Sequence, residues 1–135
     1  MPQLSDIMRH ELIEAAPEDT LGEVAELLRD HGTGAALVSQ YGRLIGIVTS
    51  RDLLEACANR AHPSDARARA WMTAEPITVS AATPVEDALR LMTSHEVHHL
   101  PVVDGEQPVG LVGLRDLVRS AASRPTPANA VGLGF

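Results

Sequence analysis

The sequence predicts an α+β fold made of two β-α-β-β-α repeats packed about a pseudo-two-fold axis. Three observations predict it. Gly46-Ile47-Val48-Thr49-Ser50-Arg51-Asp52-Leu53 and Gly110-Leu111-Val112-Gly113-Leu114-Arg115-Asp116-Leu117 are two versions of one strand-to-helix turn. A gap-free offset of 64 residues places Met8, Glu11, Ile13, Leu27, His31, Val38, Gly46, Val48, Arg51, Asp52 and Leu53 on identical residues. Apolar runs and helical stripes also follow in the same order in both halves. A unit that cannot bury its own sheet packs against its copy.

The first repeat is assigned to residues 4–57. A lead-in through residue 10 carries Ile7 and Met8, and residues 11–16 read as a short strand or extended segment before Pro17. Thr20 followed by Glu23 is a capping-box signature. Leu21, Val24, Ala25 and Leu28 then recur at helical spacing, with Glu23, Glu26 and Arg29 on the other face. Gly32 and Gly34 stop that helix. Ala35–Ser39 reads as a strand, Gln40-Tyr41-Gly42-Arg43 as a hairpin turn, and Leu44–Val48 as a strand buried on both faces. The closing helix starts around Asp52 and places Cys57 as a small core residue.

Residues 58–70 are polar, small and locally basic, and read as a linker in which Ser64 or Asp65 caps a short helix. Trp71 is expected to anchor this linker to the core. The second repeat is assigned to residues 71–121. Glu75–Ser80 reads as a strand, and Thr83-Pro84-Val85-Glu86 as a helix start with Thr83 as cap and Pro84 at the first helical position. Val85, Ala88, Leu89 and Met92 form the apolar stripe of that helix. His98–Val103 is a strand, Asp104-Gly105-Glu106 a turn, Val109–Val112 a strand and Arg115–Ala121 the last helix. The tail at 122–135 lacks periodicity and is expected to be disordered.

Composition narrows the function. The net charge of −7 and the 2% aromatic content argue against nucleic acid, which needs cationic and base-stacking surfaces. No apolar run is long enough to span a membrane. A single cysteine and an N-terminus without a signal-peptide pattern point to the cytoplasm. No phosphate-binding loop, dinucleotide glycine fingerprint or nucleophile–base pair is present, so the chain is read as not an enzyme.

The ordered set Trp71-Met72-Thr73, Pro76-Ile77-Thr78-Val79, Leu100-Pro101-Val102-Val103-Asp104 and Gly46-Ile47-Val48-Thr49-x-x-Asp52 resembles the cystathionine β-synthase (CBS) domain. Here it occurs as a tandem pair, or Bateman module, over roughly residues 4–121. The resemblance implies a cleft between the units that binds an adenosine-containing ligand such as AMP, ADP, ATP or S-adenosylmethionine. No required cofactor is implied. It also implies a homodimer acting on a separate regulated protein.

The ligand-binding candidates implied by the resemblance are Thr49, Arg51, Asp52, Thr78, Val97, His98, His99, Arg115 and Asp116. In the family pattern the aspartate accepts ribose hydroxyls, while the threonine and helix N-terminal N–H groups reach phosphate. Two readings of Thr49-x-x-Asp52 stand side by side, since the same spacing makes a capping box. Gly113 replaces the threonine in the second copy while Asp116 stays, which favours a ligand role for the aspartate and weakens the phosphate contact there. Arg51 and Arg115 could neutralise phosphate or be solvated first-turn residues. On a strand, His98 and His99 would point to opposite faces, so one should face the cleft and the two could not share a metal ion. A ligand-free dimerisation module is the main rival function, and a histidine-based metal protein a weaker one.

Overall fold

The computed structural model describes residues 2–122, so the tail expectation for residues 123–135 lies outside the described residues. A 3-10 turn at Leu4–Asp6 precedes β1 (Glu14–Ala15), α1 (Leu21–His31), β2 (Ala35–Gln40), β3 (Arg43–Thr49) and α2 (Ser50–Ala58). The second half contains α3 (Ala68–Trp71), β4 (Thr73–Ala74), α4 (Val85–His95), β5 (His99–Asp104), β6 (Gln107–Gly113) and α5 (Leu114–Ala122). The two repeats and the α+β class are as the sequence predicts.

The repeat extends to the register of the backbone. Ala35 pairs with Thr49 and Val38 with Gly46 on β2–β3, while His99 pairs with Gly113 and Val102 with Gly110 on β5–β6. Both hairpins carry a bulge at the same place, after Val38 and after Val102. The first sheet has the order β1-β2-β3-β4. The second is a β5-β6 pair flanked by single bridges, Val79 to Val102 and Arg9 to Leu111.

Local sequence explains most boundaries. Thr20 and Glu23 form a reciprocal capping box: the Thr20 Oγ1 accepts the Glu23 N–H at 3.1 Å, and the Glu23 carboxylate accepts the Thr20 N–H at 3.0 Å. The latter bond holds the Glu23 carboxyl below the usual carboxylate range. Gly32 ends α1 in the left-handed conformation, φ 59°. Its counterpart ending α4 is Glu96, at φ 54°.

Four local expectations are corrected. Glu75–Ser80 is not a strand: Glu75 turns the chain at φ 49°, Pro76 has no N–H to donate, and only Val79 joins the sheet. Pro84 is itself the N-cap of α4 and no side chain caps that helix; Thr83 instead accepts the Ser80 N–H at 3.1 Å. Ser64 and Asp65 lie in a turn, and α3 starts after Arg67 without a side-chain cap. Cys57 is exposed, and Ala56 is the buried residue of α2; one helical position rotates a side chain by ~100°.

The offset in sequence does not reveal that the segments leading into each unit cross over. Arg9 pairs with Leu111 in the second unit, whereas Thr73 pairs with Ile47 in the first. Leu4 and Met8 accordingly sit in the second unit's core with Val85, Met92, Leu100 and Leu117. Ala68 and Met72 pack into the first core with Ile13, Val24 and Val48. Glycine is required where these segments cross: a Cβ at Gly46 would lie 2.5 Å from the Met72 sulfur, and one at Gly110 would lie 2.9 Å from the Arg9 carbonyl oxygen. A seam of Ala35, Leu37, Ile47 and Leu111 joins the two units. The hairpins reinforce it: Leu44 N–H donates to the Glu106 carbonyl at 3.0 Å, and Arg43 pairs with the Glu106 carboxylate.

Candidate functional site

Two clefts flank the seam, each at the N-terminus of a closing helix. The α2 cleft, about 430 Å³, gathers Thr49, Arg51 and Asp52 with Val97, His98 and His99. Ile47, Pro76 and Ile77 give it apolar walls. The α5 cleft, about 880 Å³, gathers Arg115 and Asp116, again with His98 and His99. Eight of the nine sequence candidates therefore line one cleft or both. Thr78 is exposed and lines neither, its place being taken by Pro76 and Ile77.

Each aspartate caps its helix. Asp52 Oδ2 accepts the Thr49 N–H at 2.8 Å and the Thr49 hydroxyl at 3.1 Å, and Thr49 Oγ1 accepts the Asp52 N–H at 3.3 Å. The capping box is thus complete. Asp116 Oδ2 accepts the Gly113 N–H at 2.8 Å. The aspartate half of the box needs only a backbone donor, so retention of Asp116 without a threonine follows from capping alone and does not single out a ligand role. Capping engages one oxygen of each carboxylate. Asp52 Oδ1 has no hydrogen-bond partner among the described residues, and Asp116 Oδ1 has only Arg119, 4.0 Å away. A carboxylate so placed can cap the helix and still accept hydroxyl groups from a ligand.

The histidines form the wall that the clefts share. His98 precedes β5 rather than lying in it, so strict strand alternation does not apply, and both residues line both clefts. The Leu114 N–H donates to the His98 carbonyl at 2.8 Å, as the Ser50 N–H does to the Gly34 carbonyl at 2.9 Å in the first unit. The His99 ring fills the space between Gly34 and Gly113, where an added Cβ would come within 3.3 Å of it. This explains why Gly113 stands where the first unit has Thr49. The register pairs are Ala35 with Thr49 and His99 with Gly113, so small and large residues exchange strands.

Burial lowers the His99 pKa from its ordinary value; His98 adds to that, and Asp116 opposes it. The folded chain therefore takes up this proton at lower pH than the unfolded chain, whose histidines titrate near ~6.5. Stability should fall as pH drops through that value toward the lower folded pKa. Replacing His99 with Gln should flatten urea-midpoint profiles as pH falls below about 6.5. An unchanged slope would show that His99 does not carry the effect.

The family model for the CBS domain matches residues 4–59 and 68–123. The chain belongs to the CBS-domain family. The CBS domain-containing protein YhcV of Bacillus subtilis is 29% identical over 131 residues, covering 97% of this chain and 94% of YhcV. The crystal structure of the CBS domain pair of protein MJ0100, in complex with 5′-methylthioadenosine and S-adenosyl-L-methionine, is 27% identical with a TM-score of 0.82. That match covers 89% of this CBS pair and 99% of the other chain. Hypoxic Response Protein I, solved with two coordinated zinc ions, is 27% identical with a TM-score of 0.78, over 92% and 100% of the two chains. In this CBS pair, no group of three or more His, Cys, Asp or Glu side chains among the described residues could hold a metal ion.

The CBS pair also places residues in the clefts that the sequence reading passed over. Arg9, Arg29 and Arg119 line the α5 cleft, while Glu75 and Glu96 line the α2 cleft. Arg9 had a signal, since it stands 64 residues before Thr73, a residue of the α2 cleft. Arg29 had none, because a polar helix face looks the same toward solvent or toward a cleft. Among the described residues, no helix is long and apolar enough to cross a membrane.

Proposed function

We propose that this CBS pair is a stand-alone regulatory module that binds an adenosine-containing ligand between its repeats and signals to a separate protein in the cytoplasm. The observation that carries this reading is the free Oδ1 of Asp52, held by its own helix cap at the mouth of a cleft with apolar walls. In this reading Asp52 accepts the ribose hydroxyls, and the flat base packs against Ile47, Pro76, Ile77 and Val97. Thr49 and the first N–H groups of α2, with Arg51, face the ligand's polar end. Asp116 and Arg115 play the corresponding parts at α5, and His98 and His99 touch a ligand in either cleft. A ligand contacting both repeats favours the arrangement it binds best, and a partner reads that arrangement. The MJ0100 complex supports the class of ligand.

Isothermal titration with AMP, ADP, ATP and S-adenosylmethionine is the test. At least one should bind, and removing the aspartate of the cleft that holds it, Asp52→Ala for the α2 cleft or Asp116→Ala for the α5 cleft, should weaken it about tenfold or more, as expected for a lost hydrogen bond to a charged group. Either change should cost about 0.5–2 kcal/mol of stability through the lost cap.

The caps also favour a second reading, a ligand-free interaction module in which both aspartates serve only their helices. Under it, no nucleotide binds the folded protein and Asp52→Ala costs stability alone. Both readings include a homodimer. Leu54 on α2 and Val118 on α5 occupy equivalent positions, 69% and 48% exposed, and offer an apolar face to a second copy. A monomeric mass in sedimentation velocity would dismiss that assembly.

A further inference from the structure

The two clefts carry opposite charge. One arginine, Arg51, faces Asp52, Glu75 and Glu96 in the α2 cleft. In the α5 cleft four arginines, Arg9, Arg29, Arg115 and Arg119, face the single carboxylate of Asp116. This cationic concentration occurs in a chain of net charge −7. The four side chains come from three separate places: the lead-in, α1 and α5. Helical spacing, i and i+4, brings Arg115 and Arg119 together on α5, while Arg9 and Arg29 reach the cleft from other elements.

Most of their donor capacity is unspent. Each guanidinium carries five N–H donors. Arg9 gives one Nη1 bond, at 3.2 Å, to the His31 carbonyl, and Arg29 pairs through Nε with Asp30 at 3.0 Å. Arg119 lies 4.0 Å from Asp116, and Arg115 has no hydrogen bond or ion pair among the described residues. The positive end of α5 opens on the same space. Guanidinium forks match phosphate oxygens in pairs, and several facing one cavity suit a ligand with several phosphates.

We propose that the α5 cleft is a polyphosphate site, which takes the phosphate chain of a nucleoside di- or triphosphate. The nucleoside part of this assignment rests on the adenosine reading above; the anion site does not. The α2 cleft, with three carboxylates, repels such a chain and suits an uncharged or cationic ligand end. The charge contrast thus assigns phosphate to the cleft that lacks the threonine.

Calorimetric titration of the full chain with inorganic tripolyphosphate, AMP, ADP and ATP tests the assignment. Affinity should rise from AMP through ADP to ATP and weaken as salt is added. Arg115→Glu and Arg29→Glu should each weaken tripolyphosphate and ATP about tenfold or more. Arg60→Glu, an equal change of charge outside both clefts, should leave them unchanged. Circular dichroism establishes that each variant is folded, and all three positions are exposed. Equal affinity for AMP, ADP and ATP, or an equal loss in Arg60→Glu, overturns the polyphosphate assignment and leaves the adenosine reading standing. Arginine-dependent binding of tripolyphosphate, with no adenosine compound binding, sustains the anion site and removes the adenosine reading. No binding by any of the four overturns both.

Discussion

Leu4→Ala should destabilise the protein by about 2–5 kcal/mol, the range for emptying a leucine-sized core site. Position alone suggests otherwise, since residues near a terminus are commonly dispensable. But Leu4 is fully buried in the second unit's core with Leu100 and Leu117. Its segment is also tied down by backbone bonds from Leu4 N–H to Thr83 and from Ser5 N–H to Ala81, at 3.0 and 2.9 Å. The urea midpoint should fall with the slope unchanged. Glu26→Ala, at an exposed site on α1, is the comparison and should shift stability by no more than about 0.5 kcal/mol. A Leu4→Ala effect as small as that would show that the lead-in does not hold the second core together.

Gly110→Val is the second large effect, and it should exceed Gly46→Val. An added Cβ at Gly110 would meet the Met8 sulfur and the Arg9 carbonyl oxygen, both at 2.9 Å, and the second of these is backbone, which cannot swing aside. That carbonyl accepts the Leu111 N–H at 3.1 Å, and the Arg9 N–H donates to the Leu111 carbonyl at 2.9 Å. Overpacking costs about 1–3 kcal/mol, and each bond lost with the bridge adds about 0.5–1.5 kcal/mol. At Gly46 the closest atom is the Met72 sulfur, at the flexible end of a side chain, while the Thr73 carbonyl is 3.0 Å away. Hydrogen exchange can localise the damage: the Arg9 and Leu111 amides should lose protection in Gly110→Val. Full protection there, or a larger loss in Gly46→Val, would contradict the crossing geometry.

The parts legible in the sequence were those set by local chemistry. Thr20 with Glu23, Gly32, and the Tyr41-Gly42 turn each act within a few residues, and each sits where its chemistry requires. The 64-residue offset carried the paired hairpins, down to the bulge. The crossing was not legible, because Met8 and Met72 look alike whichever sheet they join. Nor was the failure of Glu75–Ser80 as a strand, where a positive φ at Glu75 overrode a β-rich composition. In the clefts, the aspartates announced themselves through a motif, whereas Arg9, Arg29 and Arg119 arrive by tertiary packing.

The exchange of leading segments bears on how the chain acquires its structure. The second core needs residues 4–8, and their partners extend to Leu117. During synthesis residues 4–8 must wait until Leu117 has been made. Contacts so distant in sequence raise contact order and slow folding. For the same reason, cutting the chain in the linker gives two halves that each hold a piece of the other's core. Expressed alone, a half has a vacant edge that the matching segment of another copy can fill, the route to a domain-swapped dimer.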